Sequence, residues 1–215
     1  LLKMYMHQSY RYTTVTSLPV SGFIMVYAVP LMVLLFGSEY AKGSEALWIL
    51  VGGMFFFSVY LIACSMSQGL GKPAFPMYSL ITGALVNVAF SYYLIPLYDI
   101  TGAAIATTIA TFVLMVMTVG ELIKLSKIHP PYDDLFKMFI AAGFMIIVMY
   151  LIPHTIIGMF VGLIVGTIVY IIIILLLKAI KEEDVVFIEH FVNRSGPLKK
   201  YLMKFVYNVK IYLHE

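Results

Sequence analysis

Apolar residues come in long unbroken runs along this chain, and charged residues gather in the short stretches between them. A helix crossing a hydrocarbon core needs about 20 predominantly apolar residues. Stretches 15–36, 46–68, 74–97, 100–120, 135–152 and 156–177 approach or exceed that length. The fifth is the shortest, and Lys137 interrupts its start. A lysine at a helix end can extend its ammonium to the headgroups, so the span is kept. The last two are joined only by Pro153, His154 and Thr155, which forces an antiparallel hairpin. Lipid-facing barrel strands would run about ten residues with apolar/polar alternation. The run 156–177 is continuously apolar, so the prediction is helical. The expected fold is all-α: an integral membrane bundle of six transmembrane helices over residues 1–179, then a cytoplasmic tail over 180–215.

Composition agrees. The chain is 62% hydrophobic and 12% charged, and its mean hydropathy is +0.97. Soluble domains are nearer half apolar and a quarter charged. A membrane is the natural solvent for such a chain, and the expected location is the cell membrane. The single Cys64 excludes an intrachain disulfide and any multi-cysteine metal site; in an apolar run it reads as a small buried hydrophobe. Leu1 is not an initiator methionine, and the opening residues do not form a signal peptide. The chain is expected to be a fragment, or to lack only the residue before Leu1.

The net charge of +3 gains meaning from topology. Lys3, Arg11, Lys72, Lys124, Lys127, Lys137, Lys178, Lys181, Arg194, Lys199, Lys200, Lys204 and Lys210 fall on one side of the predicted bundle, and Lys42 alone on the other. The positive-inside rule makes the first side cytoplasmic, with both termini on it.

In lipid, helices associate through small residues that permit close backbone approach. Gly158, Gly162 and Gly166 form a double GxxxG in the sixth span. Gly102, Ala106 and Ala110 share a face of the fourth, with Ala103, Thr107 and Thr111 beside it. Ser79, Gly83, Asn87 and Ser91 recur every four residues in the third. Pro30 should kink the first span, while Pro19, read as lying near its first turn, should be tolerated.

The span interiors carry no ionisable residue. His129 and His154 lie on opposite sides of this topology and cannot share a site. Asp133 and Asp134 read as an ordinary helix N-terminal pair. No nucleotide-binding motif is present. No enzyme activity, metal, cofactor or nucleic-acid partner is expected. What remains is polar but uncharged. Asn87 is the most polar group inside a span and must find partners, either another helix or a hydrated substrate path. Ser91, Gln68 and Tyr78 are the other substrate-path candidates, although Gln68 stands near a cytoplasmic end. Tyr78, Tyr92, Tyr93 and Tyr98 suit either the interfacial belt or stacking on sugar rings.

After residue 177 the composition changes. From Leu198 the apolar positions follow a helical spacing through Leu213, with Lys199, Lys200, Lys204 and Lys210 at other positions. A basic amphipathic helix of this kind belongs on an anionic leaflet, so membrane lipids are expected partners.

Four features, in order, resemble one family. Arg11-Tyr12 precedes Pro19. Leu34-Leu35-Phe36-Gly37-Ser38-Glu39-Tyr40 ends the first span. Gln68-Gly69-Leu70-Gly71-Lys72-Pro73 ends the second. Asn87, Ile95-Pro96 and Gly102-Ala103-Ala104 mark a hairpin. Over roughly residues 10–125 the chain is similar to the C-terminal part of polysaccharide biosynthesis membrane proteins of the multidrug/oligosaccharidyl-lipid/polysaccharide flippase superfamily. The resemblance implies twelve to fourteen helices in two lobes around a cavity, and transport of lipid-linked oligosaccharide or polysaccharide precursors by alternating access. This chain would be the C-terminal lobe, with an N-terminal lobe outside it as a partner. A cation-coupled multidrug exporter of the same superfamily and a non-transporting scaffold for glycan synthesis are the alternatives.

Overall fold

The computed structural model describes residues 2–179, and among them the regular elements are all helical. They are α1 (Leu2–Val26), α2 (Ala28–Phe36), a 3-10 helix (Ser38–Gly43), α3 (Ser44–Gly69), α4 (Ala74–Ser126), α5 (Tyr132–Tyr150) and α6 (Ile156–Leu176). Helices suit so apolar a chain, because each satisfies its own backbone hydrogen bonds. The predicted amphipathic tail helix lies outside the described residues.

Three stretches are long and apolar enough by themselves to cross a membrane: Ser38–Gly69, Ala74–Ser126 and Ile156–Leu176. The pair α1 and α2 makes a fourth if it is one span. α5 falls short of that standard, because its 19 residues include Asp133, Asp134 and Lys137.

The predicted first span is corrected at its start and borne out at its kink. Its helix begins at Leu2, not near residue 15, so Pro19 lies well inside α1. The helix also bends by 78° between Val26 and Ala28. The cause is Pro30, which has no N–H for the carbonyl of Val26 and whose ring crowds that carbonyl. Tyr27 stands at the bend, fully buried, and its hydroxyl donates to the carbonyl of Met149 at 3.1 Å.

α4 covers 53 residues, about 80 Å if it were straight. It is two arms. Asp99 has φ 49 and ψ −128, and there the chain reverses. Three pairs fix the antiparallel register: Gly102 against the backbone of Leu94, Asn87 with Thr107, and Gly83 against Leu114. Residues 20 apart in a continuous helix would stand about 30 Å apart, yet Asn87 and Thr107 are hydrogen-bonded. The returning arm also runs parallel to α3. Thr108 donates to the carbonyl of Ile49, Gly53 meets Thr108 and Thr111, and Leu122 packs with Ala63.

The backbone at Asp99 suits glycine. Holding a non-glycine residue there costs about 1–3 kcal/mol, while glycine loses only about 0.4–1 kcal/mol more chain entropy on folding. The strain term is larger, so Asp99→Gly is expected to raise stability by about 1 kcal/mol. Thermal unfolding in detergent measures it, and a lowered midpoint would contradict the strain argument.

The other half of the bundle is α1, α5 and α6. α1 and α5 run parallel, as Arg11 with Asp134 and Gly22 with Met145 show. Leu18, Tyr27, Met138, Met145, Met149, Met159 and Ile174 form its core. The methionines are long and flexible, and they fill the irregular space beside the bend.

The glycines of α6 are close-packed, but not as one helix–helix seam. Gly162 lies against the ring of Tyr27, and Gly166 against Met149 of α5. Gly158 packs on the carbonyl of Pro153 in its own entry turn, where Thr155 also accepts its N–H. The predicted double GxxxG face therefore divides among a turn, a bend and a helix.

Asp133 and Asp134 are not the N-cap of α5; Pro131 is. Asp134 is buried, and its Oδ2 lies 3.5 Å from Nε of buried Arg11. Arg11 Nη2 also donates to the carbonyl of Ala179, just past α6, at 2.7 Å. One guanidinium thus ties α1, α5 and the exit of α6 together.

Candidate functional site

The polar interior of the α4 hairpin is built from small residues. Ser79 and Gly83 are buried on the outgoing arm, and Gly102, Ala106 and Ala110 are buried on the returning arm. Small side chains bring the backbones near enough for Asn87 Nδ2 to donate to Thr107 Oγ1 at 3.1 Å. Thr107 donates in turn to the carbonyl of Ala103 at 2.9 Å. Ser91 Oγ lies 3.5 Å from Asn87 Oδ1, at the long limit of such a bond. Asn87 is half-buried. It holds the arms together with one amide hydrogen and keeps unused bonding capacity on its open side.

That side is a concavity of about 840 Å³ toward the hairpin's turn. Asn87, Ser91, Tyr92, Tyr93 and Pro96 line it with Val88, Ile95 and Leu97. No acid, lysine, arginine or histidine is in the lining. Tyr92 and Tyr93 are 76% and 69% exposed, and their rings meet edge to face with centroids 5.3 Å apart.

The structure brings two of the four substrate-path candidates together. Asn87 and Ser91 share the concavity, while Gln68 and Tyr78 do not line it. Gln68 sits near the end of α3, where Nε2 meets Cys64 Sγ at 3.3 Å. Tyr78 is nine residues before Asn87, about 13 Å along the helix and half a turn round it. The sequence named Tyr92 and Tyr93 as tyrosines of the belt or of a sugar platform, but did not connect them with Asn87. Helical spacing from Asn87 through Ser91 was the available signal. Among the described residues no three His, Cys, Asp or Glu side chains gather as a metal site.

Residues 1–93 match the MatE family model.

MatE is a family of membrane transporters within the multidrug/oligosaccharidyl-lipid/polysaccharide flippase superfamily, so the resemblance read from the sequence is shown. The match begins earlier than the resemblance and ends within the hairpin, before Pro96 and Gly102. Curated relatives point the same way. "Uncharacterized membrane protein MJ1068" of Methanocaldococcus jannaschii is 28% identical over 114 residues, 53% of this chain and 22% of that one. "Probable low-salt glycan biosynthesis flippase Agl15" of Haloferax volcanii is 29% identical over 112 residues, 52% of this chain and 24% of that one. "Uncharacterized membrane protein MJ1375" of Methanocaldococcus jannaschii is 27% identical over 115 residues, 54% of this chain and 28% of that one. The chain spans about a quarter of the length of these curated relatives. No solved structure matches. With its apolar helices and membrane-protein relatives, this is a multi-pass membrane protein.

Proposed function

We propose that the chain is the C-terminal lobe of a flippase that moves lipid-linked oligosaccharide or polysaccharide precursors across the cytoplasmic membrane by alternating access. The observation that carries this reading is the MatE match together with a relative named as a glycan biosynthesis flippase. The hairpin supports it with two uncharged polar side chains, Asn87 and Ser91, in a largely apolar wall. The partners are membrane lipids, the lipid-linked glycan and an N-terminal lobe supplied by further sequence.

The reading includes six spans with both termini cytoplasmic. The two arms of α4, residues 74–98 and 100–126, are each long enough to cross a core of about 30 Å. The bent α1–α2 pair, α3, α5 and α6 complete the six. α5 enters with its acidic first turn at the basic, cytoplasmic side, where Arg11 neutralises Asp134. Residues 180–215 form the basic cytoplasmic tail.

Asn87 is the residue to test. In cells that depend on the chain for glycan export, Asn87→Leu should lower surface glycan about tenfold or more and leave protein levels intact, since a partly exposed site tolerates the lost bond at about 1 kcal/mol. Deletion should leave lipid-linked glycan on the cytoplasmic leaflet, read by its protection from an external glycosidase. A deletion strain with unchanged surface glycan would sink the flippase reading. Loss of the Asn87→Leu protein itself would assign Asn87 to folding.

A further inference from the structure

The concavity at the hairpin's turn combines two exposed aromatic rings, one amide and one hydroxyl, with no charged side chain. Each part has a chemical counterpart in a sugar. The C–H face of a pyranose is apolar and lies well on an aromatic face. Sugar hydroxyls need hydrogen-bond partners once water is displaced. After its bond to Thr107, Asn87 retains one amide N–H and acceptor capacity on Oδ1, and Ser91 Oγ can both donate and accept.

We infer that this concavity is a subsite for an uncharged sugar ring of the transported glycan, with Tyr92 and Tyr93 as the stacking platform and Asn87 and Ser91 as the hydroxyl partners. The inference rests on the flippase reading and deepens it. Selection against acidic sugars follows from two observations. The lining offers a carboxylate no cation. The basic residue of the hairpin, Lys124, lies in the last turn of the returning arm, far from the concavity, whereas Asp99 stands at the turn, two residues after Leu97. A uronate would find no cationic partner there and would stand near a like charge. Tyr92 and Tyr93 are exposed, so replacing them costs little packing.

The test uses the full chain in phospholipid nanodiscs, free of glycoside detergent, and saturation-transfer NMR. The probes are methyl β-glucopyranoside and sodium glucuronate. The glucoside should bind through its ring C–H protons, and glucuronate about tenfold more weakly. Tyr92→Ala combined with Tyr93→Ala should weaken glucoside binding about tenfold. Equal binding of glucoside and glucuronate by the unmodified chain overturns the inference, and so does undiminished glucoside binding by the double variant. Transport separates this from the wider reading. Glucoside binding without any glycan transport would reject the flippase and keep the subsite. Unaltered transport by the double tyrosine variant would reject the subsite and keep the flippase.

Discussion

Arg11→Ala is expected to lower stability by about 3–5 kcal/mol, and Asp134→Ala by a similar amount, because each leaves a buried charge without its partner. The side chains are 3% and 9% exposed, so water cannot replace what is removed. Exposed ion pairs are worth only about 0–1 kcal/mol; burial makes the difference here. Arg11 also donates to Ala179, so its loss frees the exit of α6 as well. Single and double replacements should therefore differ in cost. Replacing both residues together, as Arg11→Met with Asp134→Leu, should recover most of the loss, since an apolar pair of similar volume needs no compensation. Thermal unfolding in detergent of the two single variants and the double variant measures this. If the double variant loses the sum of both single effects, the pair is not what makes the single variants costly.

This pair also marks the limit of reading the sequence. Arg11 and Asp134 are separated by 123 positions, and neither has a telling neighbour. Asp133-Asp134 looks like a helix start and Arg11 like one more cytoplasmic cation. Only parallel packing of α1 and α5 brings them together. The hairpin was more legible, because its information is local: two apolar runs, Pro96 and Gly102 between them, and small residues at helical spacing. The bend in the first predicted span was half legible. Pro30 announced it, but the residue that occupies it, Tyr27, is set by contacts with Met149 and Gly162 far along the chain. The glycines of α6 were legible as close-packing sites but not as to partner, since a glycine stripe carries no record of what approaches it. For the candidate site, spacing joined Asn87 to Ser91. Gln68 and Tyr78 were chosen by polarity alone, and the fold leaves them elsewhere.

The glycines of the returning arm permit a second strong prediction, in which one substitution has opposite signs at two positions of one helix. At Gly102 a Cβ would strike the carbonyl of Leu94 and come within 2.9 Å of the nitrogen of Ile95. Those atoms are backbone, and no rotamer change removes them. Gly102→Ala must therefore push the arms apart, at an overpacking cost of about 1–3 kcal/mol or more. Separation of the arms would also stretch the Asn87–Thr107 bond, which adds about 1 kcal/mol. At Gly120 nothing lies within 4 Å of the added atom. There alanine fills open space inside a helix and restricts the unfolded chain, so Gly120→Ala should stabilise by about 0.5–1 kcal/mol. Thermal unfolding of the two variants in one detergent gives the signs directly. A stable Gly102→Ala would mean that the arms do not meet at Leu94, and the turn at Asp99 would then have to be drawn differently. A destabilised Gly120→Ala would mean that this face of the returning arm is covered rather than open. Because Asn87 depends on the close approach at Gly102, Gly102→Ala should also impair transport as much as Asn87→Leu, whereas Gly120→Ala should leave it unchanged.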